Sequence, residues 1–165
     1  MMMRPMRLGK REITEIEELK EVLETCKVLR LGMTDKEGMF IVPVNFGYEL
    51  EEENKELKLY IHSAGEGRKA EALAENSEVA FEMDCCHKLI QGDYTCSYSY
   101  AYKSIMGTGK ACRLEGVEEK IHGLQVLMHH LEPGSDIKFQ DGMLDRVAVY
   151  RIDVTEFTGK KRLPK

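Results

Sequence analysis

Runs of strand-forming residues separated by short, charged turns are the strongest constraint on this chain's fold. Lys27–Met33 alternates Val28, Leu29 and Leu31 with polar residues and stops at Thr34-Asp35-Lys36-Glu37-Gly38. Met39–Tyr48 is a β-branched and aromatic run closed by the charged stretch 49–56, after which Leu57–His62 alternates again. Connections this short cannot carry a parallel crossover, so the three strands are antiparallel neighbours. Val79–Met83, Ser104–Leu114 and Val147–Val154 bring the expected total to six strands. Gly107 and Gly109 inside the fifth predict a bulge or a close backbone approach.

Helical spacing appears in three places. Ile16, Leu19, Leu23 and Cys26 mark an amphipathic helix over 15–26, with Thr14 and Glu17 in capping-box register. A second helix covers 68–76. A third carries Val117, Ile121, Leu124, Met128 and Leu131 and stops at Pro133-Gly134. Residues 135–146 read as a loop, and Asp84–Tyr102 as the least regular region. There is more strand here than a doubly wound sheet uses, so the expected class is α+β, a closed or half-closed antiparallel barrel flanked by helices. No repeat or linker divides the chain, which predicts one domain over 13–165 behind a flexible arm at 1–12.

Charge narrows the partners. Lys+Arg 24 against Asp+Glu 29 leaves a net charge of -5, which argues against nucleic acid. No apolar run approaches the roughly 20 residues that cross a bilayer, and Met1–Arg7 lacks the apolar core of an export signal. The expectation is a cytoplasmic protein with five reduced cysteines: Cys26, Cys85, Cys86, Cys96 and Cys112.

One segment carries the chemistry of a phosphate site. Leu59–Ala64 is a strand, Gly65 and Gly67 loosen the backbone, and a helix starts at Arg68-Lys69. Unpaired N–H groups at a helix start, the Ser63 hydroxyl and two cations suit an anionic ligand; the competing reading is a solvated strand–helix junction. Cys85-Cys86-His87 fits a metal poorly, because adjacent strand residues point to opposite faces. His129-His130 is expected at the surface. Tyr98, Tyr100 and Tyr102 share one strand face, suited to sheet packing or to stacking on a planar ligand.

Three segments in order add a resemblance: Ile41-Val42-Pro43-Val44-Asn45-Phe46-Gly47-Tyr48, Leu59–Ala64 with Gly67-Arg68-Lys69, and Tyr102-Lys103-Ser104-Ile105-Met106-Gly107-Thr108-Gly109-Lys110-Ala111. With Val149–Val154 leading to Thr158-Gly159-Lys160, the chain resembles the pyridoxamine 5′-phosphate oxidase-like FMN-binding split barrels, in their nitroimidazole-resistance branch. The resemblance implies a six-stranded split barrel and a homodimer binding two FMN molecules at its interface. It places Pro43, Val44 and Asn45 beside the flavin ring, and His62, Ser63, Arg68 and Lys69 along the ribityl phosphate. Tyr102, Lys103 and Ser104 come from the other strand, in one arrangement across the dimer interface. Pro43 also stands on its own as the mark of an edge or a bulge. The resemblance further implies a flavin-dependent oxidoreductase acting on a small planar nitroaromatic such as a 5-nitroimidazole. In it His62 either gives a proton to the substrate or only hydrogen-bonds the cofactor. Two alternatives stay open: a non-catalytic flavin-binding or redox-sensing protein, and a split barrel holding haem or a deazaflavin.

Overall fold

The structure, a computed structural model, describes residues 4–140 and 142–164. In chain order its elements are β1 (Glu12–Ile13), α1 (Ile16–Thr25), β2 (Val28–Asp35), β3 (Gly38–Asn45), β4 (Gly47–Glu51) and β5 (Glu56–Ala64). There follow α2 (Arg68–Glu75), β6 (Glu78–Ile90), β7 (Ser99–Arg113), α3 (Val117–Leu131), α4 (Met143–Arg146) and β8 (Val147–Arg162). Seven strands form one antiparallel sheet in the order β3-β2-β6-β7-β8-β5-β4, and β1 adds to β8 through Glu12 opposite Lys160 and Ile13 opposite Gly159.

The two outer strands of that order, β3 and β4, are consecutive in the chain and share the single intervening residue Phe46. The sheet therefore has to curl until its edges meet at Phe46, while no ladder joins β3 to β4 or β5 among the described residues. This is a barrel with one open seam. Inward residues of each strand fill it: Leu29 and Leu31 from β2, Leu59 and Ile61 from β5, Phe81 and Met83 from β6, and Ile152 from β8 are all buried, with Phe46 at the joint. Leu19 and Leu23 of α1 join the same core. Each such side chain contributes about 1.5–3 kcal/mol by leaving water.

Several boundaries differ from the sequence reading. The described residues hold eight strands rather than six, because the run Met39–Tyr48 bends at Phe46 and because Glu12–Ile13 pairs with β8. The arm expected over 1–12 thus ends in a 3-10 turn at Gly9–Arg11 and the paired Glu12. The Thr14 box does not form: Glu15 is the N-cap of α1, without a side-chain bond. Asp84–Tyr102 is more regular than expected, since β6 continues to Ile90 and β7 begins at Ser99. Among the described residues of the loop expected over 135–146, α4 is the one interruption.

The glycines of β7 behave as expected. The β7–β8 ladder shifts at Thr108/Gly109, leaving Thr155 as the extra residue, and a Cβ at Gly107 would stand 2.5 Å from the Glu156 carbonyl oxygen. His130 does not follow expectation. It is 4% exposed, packed on Phe46 and Tyr48, and its Nε2–H donates to the Cys26 carbonyl at 2.7 Å. Two adjacent helical positions diverge by about 100°, so His129 lies outside while His130 faces the sheet.

Candidate functional site: the seam between β3 and β5

The seam collects most of the expected residues. Gly47 of β4 pairs with Tyr60 of β5; carried back two residues, that register sets Asn45 of β3 at the level of His62, and β3 touches β5. Pro43 lies exposed on β3, an edge strand whose outer side lacks a partner, so the missing N–H costs no ladder bond. Val44 packs toward the core, and the Asn45 amide donates to the Lys27 carbonyl at 3.0 Å. Ser63, the next residue of β5, is half-buried and donates to the Ala64 carbonyl at 2.9 Å.

After β5 the chain turns into α2 through Gly67, whose φ of 108° is open to glycine and strained for other residues. The two cations there have different fates. Arg68 makes a forked contact with Asp35 at 2.7 and 3.1 Å, lies 3.6 Å from Glu37, and stacks on Phe40 with its guanidinium 3.9 Å from the ring centre. Its charge is already answered by two carboxylates from the β2–β3 turn. Lys69 is half-buried and makes no ion pair among the described residues. Burial pushes its ammonium below the ordinary lysine value. An anion at the start of α2 therefore meets an unanswered charge at Lys69 and a neutralised one at Arg68. Asp35, the residue sequence reasoning missed, lies 33 positions from Arg68, and no local pattern announces the pair.

His62 points to the outer face of β5, under α3. Its ring borders a mostly apolar cleft of about 260 Å³ walled by Leu124, Leu127 and Met128 of α3, Phe139 and Met143, with Asp136 and Lys138 also in its lining. The residue surface is largely open, but the cleft desolvates the ring. That burial, and secondarily the Lys69 charge, lowers its pKa below the ordinary 6.5, so the imidazole is neutral at pH 7.

Tyr102, Lys103 and Ser104 do not join this group. They sit on β7, three strands from β3, and the Lys103 ammonium is held by Glu18 of α1 at 3.0 Å, which raises its pKa. Within one chain they face a different part of the surface. A larger cavity of about 710 Å³ between α1, β4 and α3 contains none of the expected residues. Much of its polar lining is already paired: Tyr48 donates to Glu24, and His122 contacts Glu49 at 3.2 Å. Among the described residues no helix is long and apolar enough to cross a membrane.

Comparison with known proteins identifies the fold and the family. A crystal structure of a protein ascribed to 5-nitroimidazole antibiotic resistance in Bacteroides thetaiotaomicron is 33% identical, covering 91% of this chain and 86% of that one, with a TM-score of 0.78. The flavocytochrome Anf3 of Azotobacter vinelandii shares the fold at 20% identity and a TM-score of 0.82, over 96% of this chain and 73% of that one. An FAD- and heme-binding protein of Mycobacterium smegmatis shares it at 17% and 0.81, over 94% and 76%. Nothing among curated proteins matches the chain. The family model for pyridoxamine 5′-phosphate oxidase matches residues 15–161, nearly the whole barrel, and the chain belongs to that family.

Proposed function

We propose that this protein is a cytoplasmic, homodimeric flavoprotein that binds FMN along the β3–β5 seam and reduces small planar nitroaromatics. The observation that carries the reading is Lys69: a half-buried cation without an ion-pair partner among the described residues, at a helix start, beside a seam lined by an edge strand. A phosphate monoester answers that charge, and an edge strand with free backbone groups suits a flat ring with polar edges. Flavin binding in fold neighbours, and the nitroimidazole resistance ascribed to the Bacteroides relative, favour the same reading.

Bound FMN supplies the redox chemistry; the chain's residues supply binding and protons. Lys69 holds the phosphate, and the α2 N–H groups add donors. Arg68 stays on Asp35 and fixes the start of α2. Asn45 and Pro43 border the ring. His62 is the one titratable side chain of the expected set on the apolar cleft. As a neutral ring it donates an N–H to an oxygen of the substrate, and below its lowered pKa it delivers a proton outright. The apolar walls suit an uncharged aromatic and exclude water from the transfer.

The second subunit covers the outer face of β3, β2, β6 and β7. There Met39 is 87% exposed, Ile41 70% and Met106 63%, separated by the Arg30, Glu82 and Asp84 charges of β2 and β6. In this arrangement Tyr102 and Ser104, on the Met106 side of β7, reach the partner's cofactor, while Lys103 stays on Glu18 of its own chain.

The test joins mass spectrometry of the released cofactor with turnover of a 5-nitroimidazole by the protein and a reduced nicotinamide. FMN is expected, and His62→Ala at full cofactor occupancy is expected to lose roughly 10²-fold in turnover. Bound FMN with no turnover on any nitroaromatic replaces the enzyme by a flavin-binding protein. Haem or a deazaflavin in place of FMN overturns the cofactor assignment.

A further inference from the structure

Adjacent cysteines on a regular strand point to opposite faces, but β6 is not regular at Cys85-Cys86. Cys85 stands opposite Lys103 and Lys88 opposite Ala101, so Cys86 and His87 together face Tyr102 alone. The extra residue is a β-bulge, and Cys86 occupies it with φ of 62°, a left-handed conformation that usually falls to glycine. The bulge breaks the alternation and brings the two sulfurs to 3.3 Å. Within one chain Cys86 is exposed, whereas Cys85 is buried beside the third thiol, Cys26. Neither cysteine belongs to the seam. Backbone strain, an exposed thiol and a second thiol in contact with it coincide at a bulge position where glycine would carry no strain.

We propose that Cys85 and Cys86 form a reversible dithiol–disulfide site oxidised by hydroperoxides. The Cys86 thiolate attacks one peroxide oxygen: an S–O bond forms, the O–O bond breaks, and the departing oxygen leaves as water, or as an alcohol from an organic hydroperoxide. Cys86 is then a sulfenic acid, oxidised by two electrons. The Cys85 sulfur displaces its hydroxyl: an S–S bond forms, the S–O bond breaks, and the hydroxyl departs with the Cys85 proton as water. Two thiols have lost two hydrogens and two electrons, and the peroxide has become two waters, or a water and an alcohol.

Contact makes the second step intramolecular, so it competes with over-oxidation of Cys86. Burial, with the neighbouring thiols, holds Cys85 in its protonated form. The bulge faces Tyr102, so the closed ring stiffens β6 opposite a residue that the dimeric reading assigns to the partner's cofactor.

The experiment uses the full-length protein, treated with stoichiometric hydrogen peroxide, denatured, alkylated with N-ethylmaleimide, digested and weighed. Alkylatable cysteines are expected to fall from five to three, with the loss of two hydrogens confined to the peptide that carries both Cys85 and Cys86. Dithiothreitol is expected to restore all five. Cys86→Ser, at an exposed position, abolishes the product, while Cys26→Ala keeps it. A Cys26–Cys85 cross-link, a Cys86 sulfinic acid beside an alkylated Cys85, or five alkylated cysteines after peroxide each overturn the proposal.

Discussion

Replacing Lys69 by methionine separates charge from packing at the start of α2, because the aliphatic stem stays in its half-buried place while the ammonium goes. In the proposed site that ammonium is the cation with no competing partner. A charge-assisted hydrogen bond to phosphate is worth about 1.5–3 kcal/mol, which at about 1.4 kcal/mol per tenfold is a loss of roughly ten- to hundredfold in FMN affinity. Arg68→Met removes a guanidinium already forked onto Asp35 at 2.7 and 3.1 Å, with Glu37 beside it. Any contact it offered phosphate would first have to break that pair, so the expected loss is severalfold at most. Fluorescence-quenching titrations of both variants with FMN and with riboflavin give the comparison. Lys69→Met is expected to weaken FMN and leave riboflavin, which has no phosphate, nearly unchanged. Two results refute the reasoning: equal losses for both ligands with Lys69→Met, or a greater FMN loss with Arg68→Met than with Lys69→Met.

Two further outcomes follow from the geometry. Burial lowers the pKa of His130, whose Nδ1 is buried without a partner, so its folded-state pKa lies below the unfolded value of about 6.5. Its stabilisation is complete above that value and is lost as pH falls below it, by up to about 1.4 kcal/mol per pH unit. Chemical denaturation between pH 8 and 5 should show this slope, and His130→Gln should flatten it; an unchanged slope assigns the loss to other groups. Light scattering at micromolar concentration should give a dimer, and Ile41→Glu, on the exposed face of β3, should yield monomers that no longer retain FMN. A monomer that binds FMN stoichiometrically contradicts a shared site.

Much of the barrel was legible because its strands are half-buried and alternate, and because turns such as Thr34–Gly38 carry their own chemistry. The extent of β6 and β7 was not. Around Cys85–Tyr102 the bulge interrupts the period of two, and several outward residues, among them Leu89, Tyr98 and Tyr100, are apolar yet exposed, so alternation no longer marks the buried face. The bend at Phe46 was hidden for another reason: its turn formers, Asn45 and Gly47, are split by an aromatic residue inside a β-branched and aromatic run rather than standing together. At the candidate site the strand–glycine–helix arrangement was legible, but the roles within it were not. Arg68 and Lys69 are equivalent as letters, and only the return of Asp35 from β2 tells them apart. His130 looked like half of a surface pair because helix phase alone does not say which of two neighbours meets the sheet.

The joint at Phe46 gives the seam the mechanics of a wedge. β3 and β4 cannot separate there, since one residue links them, so the gap between β3 and β5 opens only by pivoting about Phe46. Displacement then grows along β3, whose eight residues span about 26 Å at 3.3 Å each. At the wide end stands the Arg68–Asp35 fork, fastening the helix that follows β5 to the turn that precedes β3. The seam is thus pinned at its apex by a covalent hinge and latched at its mouth by an ion pair. A ligand that enters between them meets a gap whose width is set at the latch, one residue from the Lys69 ammonium.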